Sequence, residues 1–273
     1  MLAETRRLRI VELLRQRGSG AVSIAELSQL LTVSEMTIRR DLDILEEKSI
    51  LRRVHGGAVA YAVEDIGKPF QDRAQQSSPE KEAIGHCAAQ LVENGDRIIL
   101  DAGTTTFEIA HHLANKSRLT VITNNIPVVE ELSRYPHINT ILLGGILKHK
   151  ELCTIGMMVT QALSVLTADK VFLSANGVSI RMGATDPDMA EAEVKRAMIR
   201  SAREVILTAD STKYGQVALF QVASLSEIHK FVTDDAIRDE AIQELETEGV
   251  QVINLRRQMP AGIMARPESP DPN

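Results

Sequence analysis

The feature that most constrains the fold is a series of seven short apolar segments in the C-terminal part of the chain. Stretches with helical spacing of apolar residues stand between them. The segments are RIIL (97–100), LTVIT (119–123), NTILL (139–143), KVFLS (170–174), EVILT (204–208), KFVT (230–233) and VQVINL (250–255). Strands that alternate with helices are typical of a mostly parallel sheet covered by helices. We therefore predict an α/β domain over residues 79–255.

The chain is long enough for a second, smaller domain. Its 273 residues exceed the usual size of one domain, and its apolar content of 44% is enough for a real core. Residues 1–57 hold ten Lys/Arg against eight Asp/Glu, whereas the remainder holds 21 against 29, so only the N-terminal part is net basic. We predict domains at 1–58 and 79–255, a linker at 59–78, and a proline-rich, disordered tail at 256–273.

Composition excludes several classes of protein. Aromatic residues make up only 3% and Trp is absent, so stacking of bases on aromatic side chains is not the expected binding mode. No run of about 18 apolar residues occurs and the N-terminus is charged, so we expect a cytoplasmic protein without a membrane span. Cys87 and Cys153 lack CxxC spacing, which favours reduced structural thiols over a zinc site, and we expect neither metal nor cofactor.

The N-terminal part of the chain predicts three helices. Residues 3–16 and 25–31 carry apolar residues at helical spacing, and the short extended piece AVSI (21–24) stands between them. The third helix is predicted over residues 34–48. The order helix, helix, short turn, helix is the plan of a helix-turn-helix module, in which residues near the start of the last helix meet base edges. The alternative is a three-helix bundle with solvated arginines.

The third helix and the segment after it favour DNA binding over that alternative. Ser34 suits the N-cap, and an inward stripe is formed by Ile38, Leu42 and Leu45. In ILRRVHGGAVA (50–60), two extended arms meet at glycines that permit a tight hairpin turn, as in a wing beside a recognition helix. The predicted DNA-contacting residues are Ser34, Met36, Thr37, Arg39, Arg40, Arg52, Arg53 and His55.

Residues 33–58, VSEMTIRRDLDILEEKSILRRVHGGA, carry a specific resemblance. The segment resembles the N-terminal winged helix of the DeoR-type bacterial regulators of sugar catabolism. The resemblance implies that the chain binds operator DNA through this module.

The ends of the predicted strands point to a ligand site, because ligands of such sheets bind beyond the carboxyl ends of the strands. RIIL is followed by DAGTTT, which puts Gly103 in a turn and Thr104, Thr105 and Thr106 at the start of a helix. Free backbone N–H groups, the positive helix end and hydroxyls favour an anion there, and an ordinary capped helix is the alternative. The motif is neither GxGxxG nor GxxxxGK[ST], so it gives no support to dinucleotide or ATP binding.

The other strand ends carry amides, glycines and a lysine that suit a small, polyhydroxylated, anionic ligand. Each residue alone is also typical of a routine turn, but all of them follow strands at the same edge of the sheet. Besides Asn125, these residues are Asn124, Gly144, Gly145, Asn176, Gly177, Asp210 and Lys213.

This arrangement resembles the sensor domain of the same regulators, which is itself similar to ribose-5-phosphate isomerase and glucosamine-6-phosphate deaminase. The resemblance covers residues 3 to about 255. It implies that Asp101, Gly103 and the three threonines hold a phosphate or carboxylate with Lys213 as the charged partner. Glu193 and Lys195 are expected to line the same pocket, with a solvated or capping role as the alternative.

An enzyme is the rival interpretation. Isomerisation of an aldose phosphate needs a carboxylate base, and the isomerases carry an acidic loop where this chain has SANGVSI (174–180). A binding pocket without turnover is therefore favoured, although Glu193 and Asp210 keep the enzyme alternative open. We expect a repressor of a carbohydrate catabolic operon, a homodimer or homotetramer, whose operator affinity responds to a phosphorylated sugar or sugar acid.

Overall fold

The computed structural model describes residues 3–16, 22–47, 51–54, 56–60, 69–75 and 79–254. The first four ranges form a winged helix. Its elements are α1 (Ala3–Gln16), β1 (Val22–Ser23), α2 (Ile24–Leu31), α3 (Glu35–Glu47), β2 (Leu51–Val54) and β3 (Gly57–Ala60). The three strands form an antiparallel sheet in the order β1-β3-β2, so the predicted hairpin is present and the second helix begins one residue earlier than predicted.

The winged helix has a compact apolar core and a buried, ion-paired aspartate. The predicted stripe on α3 is buried against α1 and α2, and the core side chains include Ile10, Leu14, Leu27, Leu31, Ile38, Leu42, Leu45 and Leu51. Asp41 is buried and accepts a 2.5 Å hydrogen bond from Arg6 Nε, which ties α1 to α3. Gly57 has to be glycine, because a Cβ there would lie 2.3 Å from the carbonyl oxygen of Val22.

The larger part of the molecule contains all seven predicted strands. Its elements are α4 (Phe70–Gln75), α5 (Pro79–Gln90), β4 (Arg97–Leu100), α6 (Thr104–His111), β5 (Thr120–Thr123), α7 (Ile126–Leu132), β6 (Asn139–Leu142), β7 (Ile146–Lys148), β8 (Cys153–Ile155), α8 (Met157–Ser164), β9 (Ala168–Ser174), β10 (Gly177–Ser179), β11 (Gly183–Asp186), α9 (Met189–Arg200), β12 (Ala202–Thr208), β13 (Phe220–Ala223), β14 (Lys230–Val232), α10 (Asp239–Thr247) and β15 (Gln251–Ile253). Seven strands pair in the order β15-β14-β12-β9-β4-β5-β6. Every pairing in this sheet is parallel, as predicted.

Alternate side chains of each strand enter two separate cores. Ile98 and Leu100 pack in one cluster on one face of the sheet, while Ile99 between them packs in the other. Both faces are covered, which explains why the parallel strands read as continuous apolar runs. The chain proceeds outward from β4 through β5 to β6, and outward on the other side from β9 through β12 to β15. The direction of winding therefore changes between β4 and β9.

Short antiparallel ribbons and one helix were not predicted. Strands β7 and β8 form a hairpin, and β10, β11 and β13 form a three-stranded sheet. Helix α4 lies in the segment predicted as an irregular linker, where buried Phe70 donates a 2.7 Å hydrogen bond from its backbone N–H to the carbonyl of Lys150. The predicted disordered tail, residues 256–273, lies outside the described residues.

Candidate functional site

A buried ion cluster occupies the point where the direction of winding changes. Asp101 follows β4 and Ser174 ends the neighbouring strand β9, and both the backbone N–H and the hydroxyl of Ser174 donate to Asp101 Oδ2, at 3.0 and 2.7 Å. Lys195 of α9 donates from Nζ to the same Asp101 oxygen at 2.8 Å. Nζ also donates to the carbonyl and hydroxyl oxygens of Ser174, at 2.9 and 2.8 Å. Ligands of open parallel sheets bind at such switch points.

A second carboxylate faces Lys195 from the ribbon β11. Asp186 Oδ2 lies 3.3 Å from Lys195 Nζ, close enough for an ion pair but without a well-aligned hydrogen bond. Burial lowers the pKa of a lysine, yet Asp101, Asp186 and Glu191 together raise the pKa of Lys195 above its usual value, so the ammonium stays charged. Burial raises the pKa of Asp186, an effect that Lys195 only partly offsets.

A second cation links the site to the hairpin β7–β8. Lys148 Nζ lies 2.8 Å from Asp188 Oδ2 and also forms an ion pair with Glu191, which stands one helical turn before Lys195 on α9. Burial raises the pKa of Glu191, and the nearby Asp186 raises it further. The two lysines and their carboxylates therefore form one continuous polar interior between α9, the hairpin and the sheet.

Two adjacent asparagines at the end of β5 add polar atoms that lack a partner. Asn124 donates from Nδ2 to the carbonyl of Thr154 at 2.9 Å, but its Oδ1 is buried without a hydrogen bond. Both amide atoms of fully buried Asn125 also lack one, beside its bridge partner Cys153. Because an unpaired buried polar group costs about 1–3 kcal/mol, a bound polar ligand or water would satisfy these atoms.

The DAGTTT segment combines a structural turn with an uncapped helix start. Thr106 is buried and donates from Oγ1 to the carbonyls of Asp101 and Gly103, at 2.7 and 3.0 Å, so its hydroxyl is occupied by the turn. Gly103 allows the close approach of the strands, because a Cβ there would lie 2.8 Å from the Ser174 side chain. Gly103 is the N-cap of α6 and provides no side-chain cap, and Thr104 and Thr105 at the helix start are buried.

Several other predicted residues have packing or capping roles. Gly145 and Gly177 pass close to backbone: a Cβ would lie 2.6 Å from the Ile155 carbonyl in the first case and 2.5 Å from the Gln216 carbonyl in the second. Asp210 caps a one-turn 3-10 helix by accepting from Thr212 N–H. Three residues remain predictions as ligand contacts: Gly144, which is exposed, and the half-buried Asn176 and Lys213.

The helix geometry corrects the prediction that Glu193 lines the pocket. Glu193 is exposed, because it lies two residues from Lys195 and hence about 200° around the helix. Glu191, four residues before Lys195, shares its face and points into the cluster. SANGVSI itself contains no acidic residue, but β11 and α9 supply Asp186 and Glu191 from elsewhere in the chain. The i, i+4 spacing of Glu191 and Lys195 in the sequence was the signal that these two residues share a face of α9.

The predicted recognition helix exposes the expected face. Ser34 caps it, accepting a 3.2 Å hydrogen bond from the Thr37 backbone N–H. Met36 and Arg40 are exposed. Arg39 is exposed as well and lies 3.3 Å from Glu35 in a surface pair, an interaction weak enough to be exchanged for a phosphate or base.

The structure describes only part of the predicted wing. Arg53 donates its backbone N–H to Glu46 at 2.8 Å, and its guanidinium forms an ion pair with Asp43 of α3. That pair holds the wing against α3, so Arg53 has to leave Asp43 before it contacts a phosphate. His55 and the side chain of Arg52 lie outside the described residues.

Other functional features were sought in the same part of the chain. The described residues contain no group of three His, Cys, Asp or Glu side chains that could hold a metal, and none of their helices is long and apolar enough to cross a membrane. Cys87 and Cys153 are buried free thiols. A cavity of about 340 Å³ lies away from the ion cluster, between α9 and β13, beside Arg196 and Arg200.

Comparison with known proteins gives the family. The DeoR-like helix-turn-helix domain matches residues 6–62, and the DeoR C terminal sensor domain matches residues 76–235. The HTH-type transcriptional regulator YulB of Bacillus subtilis (strain 168) is 38% identical, over 92% of this chain and 96% of that protein. The HTH-type transcriptional repressor GlcR of the same strain is 36% identical, over 93% and 96%.

A third relative and a solved structure complete the comparison. The Glycerol-3-phosphate regulon repressor of Escherichia coli (strain K12) is 35% identical, over 82% of this chain and 88% of that protein. The structure of ribose 5-phosphate isomerase A from Neisseria gonorrhoeae aligns with a TM-score of 0.37 at 16% identity, over 50% of this chain and 53% of that chain. With both domains matched in order and relatives similar over nearly their whole length, the chain belongs to the DeoR family of helix-turn-helix transcriptional regulators.

Proposed function

We propose that this regulator represses an operon of carbohydrate catabolism and that a phosphorylated sugar or sugar acid controls its affinity for the operator. The observation that carries the proposal is the polar interior at the switch point of the sheet, where Lys195 is held between two buried carboxylates and the side-chain amide of Asn125 has no hydrogen-bond partner. Two relatives support it by name, since one is a repressor and another is the repressor of a glycerol-3-phosphate regulon. Because the proposed regulator binds operator DNA, we expect it to act in the cytoplasm.

The ligand is expected to use both kinds of group at the site. The uncapped start of α6 suits the anionic end of the ligand, because backbone N–H groups and the helix dipole favour negative charge there. The carboxylates and amides around Lys195 suit hydroxyl groups, which can donate to the former and exchange hydrogen bonds with the latter. Lys213 is the proposed cation for the anion from the other side.

A structural route connects this site to the DNA-binding module. The hairpin β7–β8 contacts the cluster through Lys148, and its turn contacts α4 through the Phe70 backbone and an ion pair of Glu151 with Arg73. In the chain, α4 lies between the wing and the sensor domain. A ligand that moves Lys148 therefore alters the contacts between the hairpin and α4. Coupling requires the ligand to favour one arrangement of the reading heads over the other.

We also propose that the protein acts as a homodimer or homotetramer. Helix-turn-helix proteins gain affinity when two reading heads bind repeated half-sites, because the second binding event becomes intramolecular. A change in the distance or angle between the heads then alters affinity without unfolding either module.

Operator binding tests the DNA-contacting face. The measurement is fluorescence anisotropy with a labelled promoter fragment at several salt concentrations. Loss of a base contact should cost about 1–3 kcal/mol and relax specificity, whereas loss of a phosphate contact should reduce the salt slope by about one. Arg39→Ala with Arg40→Ala should weaken binding, while Arg9→Ala, an exposed arginine of α1, should leave it unchanged. Unchanged affinity of the folded double variant would reject α3 as the recognition helix.

Effector response tests the pocket. Operator affinity is measured across a panel of sugar phosphates and sugar acids, and typical coupling predicts a change of roughly 5- to 150-fold for the correct compound. Asn125→Ala and Lys213→Ala should keep operator affinity and lose much of the response. Lys170→Ala is the matched control, because that lysine pairs with Asp96 at the opposite end of the strands. Wild-type sensitivity in both pocket variants would place the effector elsewhere.

Catalysis is a second candidate because of the buried acids. Burial raises the pKa of Asp186 and of Glu191, and raised carboxyl pKa values beside lysines are a property of general acids and bases. The test compares isomerisation and deamination of pentose and amino-hexose phosphates by the wild type and by Glu191→Gln. Turnover that disappears in the variant would establish an enzyme, and none in either protein would favour a sensor.

A further inference from the structure

The exposed large apolar side chains are concentrated in one part of the sensor domain. Among the described residues, seven of the eleven such side chains fall between positions 141 and 165. They are Ile141, Leu142, Ile146, Leu147, Met157, Met158 and Val165. Ile146 and Met157 are largely open to solvent, at 69% and 70% exposure. A contiguous exposed apolar patch of this kind is more often a binding site than the rest of a protein surface is.

These residues lie on adjoining elements. Strand β6 leads through two glycines into β7, β7 pairs with β8, and β8 leads into α8 at Gly156. A Cβ built on Gly156 would lie 3.6 Å from Ile146 Cδ1, so the start of α8 and the tip of Ile146 are neighbours. We call the exposed side chains of β6, β7 and the first turn of α8 the edge patch. Its members are Ile141, Leu142, Ile146, Leu147, Met157 and Met158.

The patch includes an open edge of the central sheet. Strand β6 is the last of the seven and pairs only with β5 among the described strands, so the backbone groups on its outer side are unpaired. Natural edge strands are usually protected by lysines, prolines, bulges or a covering segment. The sequence of β6, NTIL, has no such charge or proline. An unprotected apolar edge in a folded protein is therefore expected to be covered by a partner.

Charge identifies the partner as another copy of the chain. Neither residues 138–147 nor residues 152–168 contain Asp, Glu, Lys or Arg, although these types make up 25% of the chain. Where a surface meets its own copy across a twofold axis, charges near the axis lie close to their own duplicates, so a neutral surface avoids that repulsion. A partner of opposite charge would instead require charges on the patch. The exposed fractions correspond to roughly 600 Å² per chain, comparable with the about 800 Å² that each partner of a standard interface contributes.

We propose that the edge patch is the self-association surface of this protein, on which a second copy of the chain docks across a twofold axis. This inference builds on the proposed oligomeric regulator and specifies its interface. It also places that interface beside the sensor site, because Ile146 lies on the same strand as Lys148, which pairs with Glu191. A ligand that displaces Lys148 then acts on the subunit contact directly.

The first test is the mass in solution, measured by sedimentation equilibrium without DNA or sugar phosphate. Wild type should have at least about twice the 30.0 kDa mass of the chain. Leu142→Arg and Met157→Arg should each halve that mass, because each buries an unpaired charge in the interface. Ile180→Arg is the control, since Ile180 is an exposed isoleucine in the turn between β10 and β11. A monomeric wild type, or folded patch variants of wild-type mass, would overturn the proposal.

A second test does not depend on a disruptive variant. The variants Leu142→Cys and Ile146→Cys are each treated with a short bismaleimide. The native cysteines, Cys87 and Cys153, do not interfere because both are buried. Both variants should give a covalent dimer on a denaturing gel, and Ile180→Cys should not. No dimer at either patch position, or an equal yield at the control position, would refute the interface. Because neither assay contains operator or effector, failure of the proposed regulatory function would leave these results unaffected.

Discussion

Replacement of Lys195 by methionine tests the ion cluster most directly. Methionine has nearly the length of lysine but no charge, so Lys195→Met removes the cation and keeps most of the packing. The side chains of Lys195, Asp101 and Asp186 are at most 2% exposed, so the variant leaves two carboxylates buried without a cation. Breaking a buried pair by removing one partner costs about 3–5 kcal/mol. We expect a loss of that size in the free energy of unfolding of the sensor domain.

The assay is urea unfolding followed by circular dichroism, because the chain has no Trp and only three Tyr. Lys230→Met is the matched control: its partner Glu204 is on the same sheet, but both side chains are 24% exposed, so the expected cost is below about 1 kcal/mol. Adding Asp101→Asn and Asp186→Asn to the Lys195→Met variant neutralises both acids and should recover much of the stability that Lys195→Met loses. A loss no larger than that of the control would refute the view that this pair is energetically coupled.

The pH dependence of the same variant has a defined sign. Burial raises the folded-state pKa of Asp186 above its unfolded value, so its contribution to stability is fully present below the unfolded pKa and is lost as pH rises through the folded one. Lys195 lowers this pKa, and its removal therefore raises it further. The cost of Lys195→Met should shrink as pH falls from about 7.5 toward about 5, because Asp186 takes up a proton. A cost that grows over this range would contradict the assignment.

Three further outcomes follow from local geometry. Glu151→Gln removes the charge that pairs with Arg73 and should weaken the effector response while operator affinity stays within about twofold, as measured by anisotropy with and without the effector. Ser34→Ala removes the cap of α3 and should lower the stability of the winged helix by about 1 kcal/mol in thermal unfolding. Burial raises the pKa of Cys87 to about 11 and that of Cys153 well above its usual value, so neither thiol should react with a thiol reagent at neutral pH until the protein unfolds.

Local patterns were sufficient to predict α3 and the seven strands of the central sheet. The i, i+4, i+7 stripe of Ile38, Leu42 and Leu45 predicts α3 because the helix period alone decides which side chains share a face. The seven strands were found because each is a short apolar run flanked by polar turns, and helices between them leave a parallel sheet as the consistent arrangement. Asp101 was found because the end of a parallel strand has a fixed place in such a fold.

The ribbons at the edge of the site could not be found in the same way. Strands β7, β8 and β10 have three residues each, too few for an alternating pattern to be distinguished from a loop. Lys148 was missed for this reason, and so was the exposure of Ile146. Helix α4 has six residues, and its position depends on Glu151 and the Lys150 carbonyl rather than on its own periodicity.

The sequence by itself therefore determined the order of the seven central strands, the two-module plan and the strand ends where a ligand is predicted to bind. Tertiary structure decided which charges meet. Lys195 and Asp101 are 94 positions apart, and nothing near either residue specifies the other. Their contact exists because α9 packs on β9 and β12, which brings Lys195 to the end of β9 beside Asp101. Burial there removes water and leaves each charge dependent on a partner from a distant segment.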